Sequence, residues 1–181
     1  MSDANPEVGT GLEPAHDEVP VVHPPFSAEG LKARFPDAAA VSEFRGEITM
    51  VVPADQLVET CVALRDEPDY DFNVLSNLSA VDHLPRLPRF DVNYHLVSIP
   101  HGRRLRVKAM LPGPDPTVES VTGVWGTANW WEREVFDLMG VTFTGHPDLR
   151  RIQMTDDWVG HPHRRDYPTG KQTVTFTPPP R

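Results

Sequence analysis

The sequence predicts an α+β domain: a largely antiparallel sheet flanked by helices, with an extended, irregular C-terminal segment. Three observations carry this reading. Helical and strand-like spacing take turns along the chain without a regular βαβ repeat. Two alternating runs face each other across the short turn Pro100-His101-Gly102. The stretch from Trp130 to Asp166 is rich in charge and carries three histidines, yet shows little apolar periodicity.

Element by element, Ser27 can cap a short helix running to Phe35, with Leu31 and Phe35 four apart on one face and Pro36 as the stop. Phe44 to Val52 leans towards strand and ends at Pro53. Ala54 to Arg65 returns to helical spacing through Leu57, Cys61 and Leu64, which points Cys61 to the core. Phe72 to Val81 reads as a strand with a polar end. Phe90, Val92, Tyr94, Leu96 and Ser98 alternate with polar neighbours, and Leu105, Val107, Ala109 and Leu111 alternate against Arg104, Arg106 and Lys108. These two runs predict an antiparallel hairpin with one basic, exposed face. The loop Pro112 to Pro116 closes it off. Val118 to Trp125 is expected as a short helix ahead of a stronger one from Ala128 to Met139. In that second helix Trp131, Val135, Leu138 and Met139 share a face, Glu132 and Glu134 suit the positive end, and Gly140 can terminate it.

Composition bounds the function. With 181 residues, 39% hydrophobic and 24% charged, the chain has room for one domain and tails. Met1 to Gly30 holds six acids and no Lys or Arg, which is −6 of the formal −9 and leaves the rest near neutral. Such a balance lacks the cationic excess that phosphate neutralisation requires, so nucleic acid and anionic lipid are disfavoured as main partners. Cys61 is the one cysteine, which excludes a disulfide framework, a CxxC pair and a complete Cys-ligated cluster within this chain. No apolar stretch approaches the roughly 20 residues of a bilayer span, and the acidic N-terminus is unlike a secretory leader. The chain is expected to be soluble and cytoplasmic. Residues 1–26 are expected as a disordered, acidic, Pro-rich tail, 27–166 as the domain with its distinctive segment at 128–166, and 167–181 as an extended Pro-rich tail.

Several chemistries compete for the 130–166 stretch. His146, His161 and His163 invite a stand-alone metal-dependent enzyme, but HExxH is absent and two of them precede proline, as loop-entry residues do. Asp156 and Asp157 read more readily as a turn before Trp158 than as an acid/base dyad. Trp125, Trp130, Trp131 and Trp158 suit core packing better than a stacking platform. Ser76, Ser79 and Ser98 read as strand or turn residues. GxxxxGK[ST], a strand-borne GxGxxG and GxSxG are all missing, so neither nucleotide binding nor a nucleophile elbow has support. Glu132, Arg133, Glu134 and Asp137 crowd one helix. Arg133 and Asp137 lie one turn apart, but such an exposed pair contributes only about 0.3 to 0.5 kcal/mol; a solvated helix face and a partner surface that uses the charges for register both account for the pattern.

ERExxDLMG from Glu132 to Gly140, GHPDLRRI from Gly145 to Ile152, the Asp156-Asp157-Trp158 run and GHPHRRDYP from Gly160 to Pro168 form one extended pattern. Together they resemble the signature of the 30 kDa subunit family of proton-translocating NADH:quinone oxidoreductase, respiratory complex I. The resemblance extends more weakly upstream through Leu78-Ser79-Ala80-Val81-Asp82 and both hairpin strands, covering about Ser27 to Pro168. Met139 stands where an aromatic residue is usual, and Phe136 where Trp or Tyr is common. The resemblance implies a peripheral-arm subunit with no cofactor of its own, at the cytoplasmic face of the membrane. Its partners would be a hydrogenase-like large subunit that shapes the quinone pocket and a small iron–sulfur subunit, with FMN, iron–sulfur clusters and quinone held by other chains. The signature residues Glu132, Arg133, Glu134, Asp137, His146, Asp148, Arg150 and Arg151 are expected to fix the contact with those partners or brace the loop that makes it. The same subunit type also occurs in membrane-bound hydrogenases and in dehydrogenases fed by ferredoxin or a deazaflavin.

Overall fold

A computed structural model describes residues 26–168. The two expected tails therefore lie outside the described residues, apart from Phe26, Tyr167 and Pro168.

Helix α1 spans Ala28–Arg34, and its N-cap Ser27 accepts the Gly30 N–H at 3.1 Å, as the sequence predicts. The strand expected from Phe44 is instead a hairpin, β1 (Ala40–Phe44) and β2 (Glu47–Val52), paired from Ala40–Val51 to Phe44–Glu47. Strand β1 is hidden from sequence reasoning because it is an edge with nearly every side chain exposed, so it carries no hydrophobic alternation. Its two-residue turn puts Arg45 at φ 53° and Gly46 at φ 78°, the left-handed pair that suits the twist of a tight hairpin. A 3-10 turn at Ala54–Gln56 leads into α2 (Leu57–Asp66), which buries Leu57, Cys61 and Leu64 as expected.

Strands β3 (Val74–Asp82), β4 (Phe90–Ser98) and β5 (Arg103–Leu111) complete a sheet of order β1-β2-β5-β4-β3. All pairs are antiparallel except β2 with β5, which run parallel from Ile48–Leu105 to Val52–Ala109. One face is dry: Ile48, Met50, Phe90, Val92, Tyr94, Leu96, Leu105 and Val107 join the helices' Leu31, Leu57, Cys61 and Leu64 in a single buried cluster. The opposite face carries the expected basic residues of β5, but it is not simply a cationic surface. Lys108 reaches the buried Asp91 at 2.9 Å and Arg106 reaches Glu47 at 3.0 Å, so neighbouring strands neutralise them.

The short helix expected over Val118–Trp125 does not form. Thr117–Glu119 is a strand, β6, pairing in parallel with β7 (Thr142–Thr144), and residues 122–124 and 126–127 are turns. Val118 is buried opposite Phe143, a distant partner that local spacing cannot reveal. Helix α3 spans Ala128–Met139 as predicted and ends at Gly140, whose φ of 71° is the left-handed cap. Bonds from the preceding turn set it on the sheet: Trp125 Nε1 donates to Phe72 O at 3.1 Å, and Thr127 Oγ1 to Leu75 O at 3.4 Å.

Substituting Gly46 by Val forces a β-branched side chain into the left-handed region. The substitution is expected to cost about 1 to 2 kcal/mol, read as a lowered urea midpoint with unchanged slope.

Candidate functional site

Helix α3 is unusual in burying charge. Glu132 and Asp137 are fully buried and Arg133 nearly so, each facing a different part of the chain. Glu132 turns towards the β6–α3 connection, where its carboxylate accepts the Ser120 hydroxyl at 2.6 Å and the Val121 N–H at 2.8 Å. Burial pushes its carboxyl up to about 7, against those two donors, which favour the ionised form. Arg133 stacks its guanidinium 5.2 Å from the Trp130 ring and donates to the carbonyls of Arg150 and Arg151, both at 3.2 Å.

Asp137 organises the segment beyond β7. Its carboxylate accepts Arg151 Nη1 at 2.5 Å and three successive backbone N–H groups, Ile152 at 3.0 Å, Gln153 at 2.7 Å and Met154 at 2.8 Å. Burial works against this charge, but the three amides and the guanidinium outweigh it and hold the carboxyl below the usual carboxylate range. The expected Arg133–Asp137 pair does not form. Both side chains bond to the loop at 150–154 instead, because a helix face that is covered offers better partners than its own next turn.

The C-terminal carbonyls of α3 meet the GHPHRRDYP run. His161 Nδ1 donates to Asp137 O at 2.8 Å, the His163 N–H to Leu138 O at 3.0 Å, and Arg164 to Met139 O at 2.6 Å and Gly140 O at 3.1 Å. The acceptors that a helix end leaves open are thereby satisfied, and a cation sits at the negative end of the dipole. A second clamp ties this run to the β3–β4 connection. Arg89 makes a bidentate bond to Asp82 at 2.9 and 2.7 Å and reaches Asp166 at 2.8 Å, while the Arg165 N–H donates to Asp82 at 2.9 Å. The hydrogen-bonded Arg89 guanidinium holds the Asp82 carboxyl far below its ordinary value. Residues 145–168 thus contain no helix or strand, yet their backbone is anchored to α3 and to the sheet at several points.

Comparison with known proteins assigns this arrangement. Residues 50–173 match the family described as respiratory-chain NADH dehydrogenase, 30 Kd subunit. An NADH-quinone oxidoreductase subunit of Geotalea uraniireducens is 54% identical over 128 residues, 71% of this chain and 77% of that protein. Its counterpart in a Roseiflexus species is 47% identical over 150 residues, 82% of this chain and 86% of that protein. The chain belongs to the 30 kDa subunit family of respiratory complex I. A solved trypsin-resistant fragment of Nqo5 superposes with a TM-score of 0.58 at 35% identity, covering 67% of this chain and 96% of the fragment. A chain of the membrane-bound sulfane sulfur reductase, an archaeal respiratory membrane complex, shares the fold with a TM-score of 0.68 at 24% identity, over 78% of this chain and 83% of that one.

Within this member of the complex I family the eight signature residues fall into two groups. Glu132, Arg133, Asp137, His146 and Arg151 bond inward. Asp148 and Arg150 pair with each other on the surface at 2.8 Å, and half-buried Glu134 has no ion pair or hydrogen bond among the described residues. His146 Nδ1 accepts the Asp148 N–H at 3.0 Å, which assigns its proton to Nε2, facing Asn129 O at 3.3 Å. His146 and His161 therefore cap carbonyls at opposite ends of α3, on the order of 12 Å apart, and do not converge. Among the described residues no group of three or more His, Cys, Asp or Glu is placed to hold a metal ion. Asp156 and Asp157 are exposed in the turn before Trp158, whose backbone N–H donates to Thr155 O at 3.0 Å. Trp125 is core, whereas Trp130 is 62% exposed. Sequence reasoning missed Ser120, Arg89 and the role of Asp82 as anchors. Their signal was only that the upstream Asp82 lay within the weaker part of the resemblance.

Asp137→Asn leaves one acceptor oxygen for four donors and is expected to cost about 3 kcal/mol or more, with the amides of residues 152–154 losing exchange protection before the sheet does. For Glu132, the native carboxyl holds its proton up to about 7 and the unfolded one only to about 4.5. Its stabilisation is thus complete below about 4.5 and withdrawn as pH rises through 7. Burial lowers the His161 and His95 titrations and acts in the opposite sense, so the diagnostic quantity is a difference. The stability of the natural chain relative to Glu132→Gln is expected to fall between pH 5 and pH 8 in parallel denaturation series.

Proposed function

We propose that this chain is the cofactor-free, non-catalytic subunit that braces the quinone-pocket large subunit in the peripheral arm of complex I, at the cytoplasmic face of the membrane. Electrons would pass from NADH through the FMN and iron–sulfur clusters of other subunits to quinone, coupled to proton translocation, while this chain keeps its neighbours in register. The observation that carries the reading is the clamped segment 145–168: irregular in backbone, fixed from beneath by Asp137, Arg133, Asp82 and the Met139 carbonyl that Arg164 takes, and exposed on its outer side. A surface of that kind can present a fixed pattern of charge without the regularity of a helix or strand.

On this reading the signature divides its labour. Arg150 and Asp148 make the contact with the large subunit or the small iron–sulfur subunit, while Glu132, Arg133, Asp137, His146 and Arg151 hold the loop that carries them. Two further features support the absence of a cofactor in this chain. The lone thiol of Cys61 is fully buried, and burial pushes its titration up, away from the thiolate that ligation needs. The histidine nitrogens that the bonds above fix are turned to backbone groups. No helix among the described residues is long and apolar enough to cross a membrane, which fits attachment through other chains.

A tagged copy extracted from native membranes in mild detergent is expected to bring a hydrogenase-like large subunit, iron–sulfur subunits and NADH-to-quinone activity. Arg150→Ala is expected to lower incorporation about tenfold, about 1.4 kcal/mol of contact, while shifting the free chain's stability by less than about 0.5 kcal/mol. Normal incorporation and turnover in that variant overturn the assignment of Arg150 to the contact.

A further inference from the structure

Strand β3 is one of the two edges of the sheet, and a groove of about 220 Å³ runs beside it. Residues 77–80 form one wall, and Trp131, Glu134, Leu138 and Met139 of α3 are among the lining of the other. The volume is below the roughly 300 Å³ at which small-molecule sites begin, and it suits one or two side chains. Among the described residues, the backbone of 77–81 makes no hydrogen bond beyond its ladder with β4, whereas Leu75 O upstream is already taken by Thr127.

An open edge is a template for another strand, and proteins usually blunt it with charge or proline. The run Asn77-Leu78-Ser79-Ala80-Val81 contains neither, and Val81 is 42% exposed. The opposite edge, β1, includes Glu43. Glu134 supplies the charge argument. It lines the groove, and unlike Glu132 and Asp137 it has no partner among the described residues, so its carboxylate is free to meet a cation.

We propose that this edge and groove receive an extended, basic segment of a neighbouring subunit by strand addition. The segment's backbone continues the sheet beyond β3 at 77–81, an apolar side chain enters the groove against Trp131 and Met139, and a Lys or Arg meets Glu134. The inference rests on the reading of this chain as a subunit of a larger assembly; the strand edge at 77–81 lies outside the clamped segment, which borders the groove at His163.

The test compares the full free chain with the assembled complex. Amide exchange of residues 77–81 is expected to slow at least tenfold on assembly. A photo-crosslinking residue placed at Ser79 is expected to join an extended, Lys- or Arg-containing segment of another polypeptide of the complex. Glu134→Lys is expected to lower incorporation several-fold and Glu134→Gln less. Unchanged exchange at 77–81, or a crosslink to residues 1–25 or 169–181 of this chain or to a second copy of it, overturns the proposal. A complex that assembles with full NADH-to-quinone activity while 77–81 exchange freely overturns the strand addition alone. A chain that emerges without partners overturns it together with the subunit reading.

Discussion

The carboxylate of Asp137 holds together what would otherwise be two separate pieces. Its four donors all come from residues 151–154, a stretch with no ladder or helix of its own to satisfy its amides. A buried charge of this kind is costly by itself, and a chain of free amides turned towards protein is costly too. Each requirement meets the other, which is why the loop adopts one course across α3. The rest is arranged around that contact: Arg133 takes the carbonyls just before the bound amides, and His161 and Arg164 take the carbonyls that end the helix. Helix α3 is in turn fixed by Glu132 to residues 120–121 and through Trp125 to Phe72, just ahead of β3.

Most of the fold was legible in the sequence because most of it is amphipathic. Strand β5 and helix α2 have one buried and one wetter face, which local period reports directly; in β4 and α3 the polar side chains of the second face are themselves largely buried, but the apolar spacing still announces the element. Strand β1 has almost no buried face, and β6 owes its conformation to Phe143, far along the chain, so no local period could announce either. The site was half legible. The density of charge between Trp130 and Asp166 marked it, and the family signature located it, but the direction of each charge was hidden. A helix surface read alone suggests that Arg133 and Asp137 pair with each other. Once a loop covers that surface, backbone groups fixed in place outcompete an exposed neighbour one turn away.

The irregularity of residues 145–168 is compatible with stiffness because the segment is tied at both ends of one helix. His146 bonds near the start of α3, and 161–164 close its end, where the dipole favours the Arg164 cation. A Cβ at Gly140 would run into the Arg164 guanidinium and the His161 ring, so the cap and its glycine are fitted to one another as well as to the left-handed backbone. The Asp82–Arg89–Asp166 cluster then anchors the far end to the sheet, and Arg164 and Arg89 both lie within contact of the Phe90 ring, at 5.3 and 4.8 Å. Loop, helix and sheet share these ties, so displacement of the loop has to disturb the domain itself.

The two buried carboxylates of α3 show how environment divides a single chemistry. Asp137 collects three amides and an arginine, which outweigh its burial and keep it ionised into acid; Glu132, a little earlier on the same helix, has two neutral donors, which do not outweigh its burial, and titrates near neutrality. A change of pH around 7 therefore acts on the tie between α3 and residues 120–121 while leaving the tie between α3 and the 150s loop in place. The anchoring of the helix to its own domain responds to proton activity, whereas the geometry of the segment that the helix presents does not until the carboxylate of Asp137 is itself protonated.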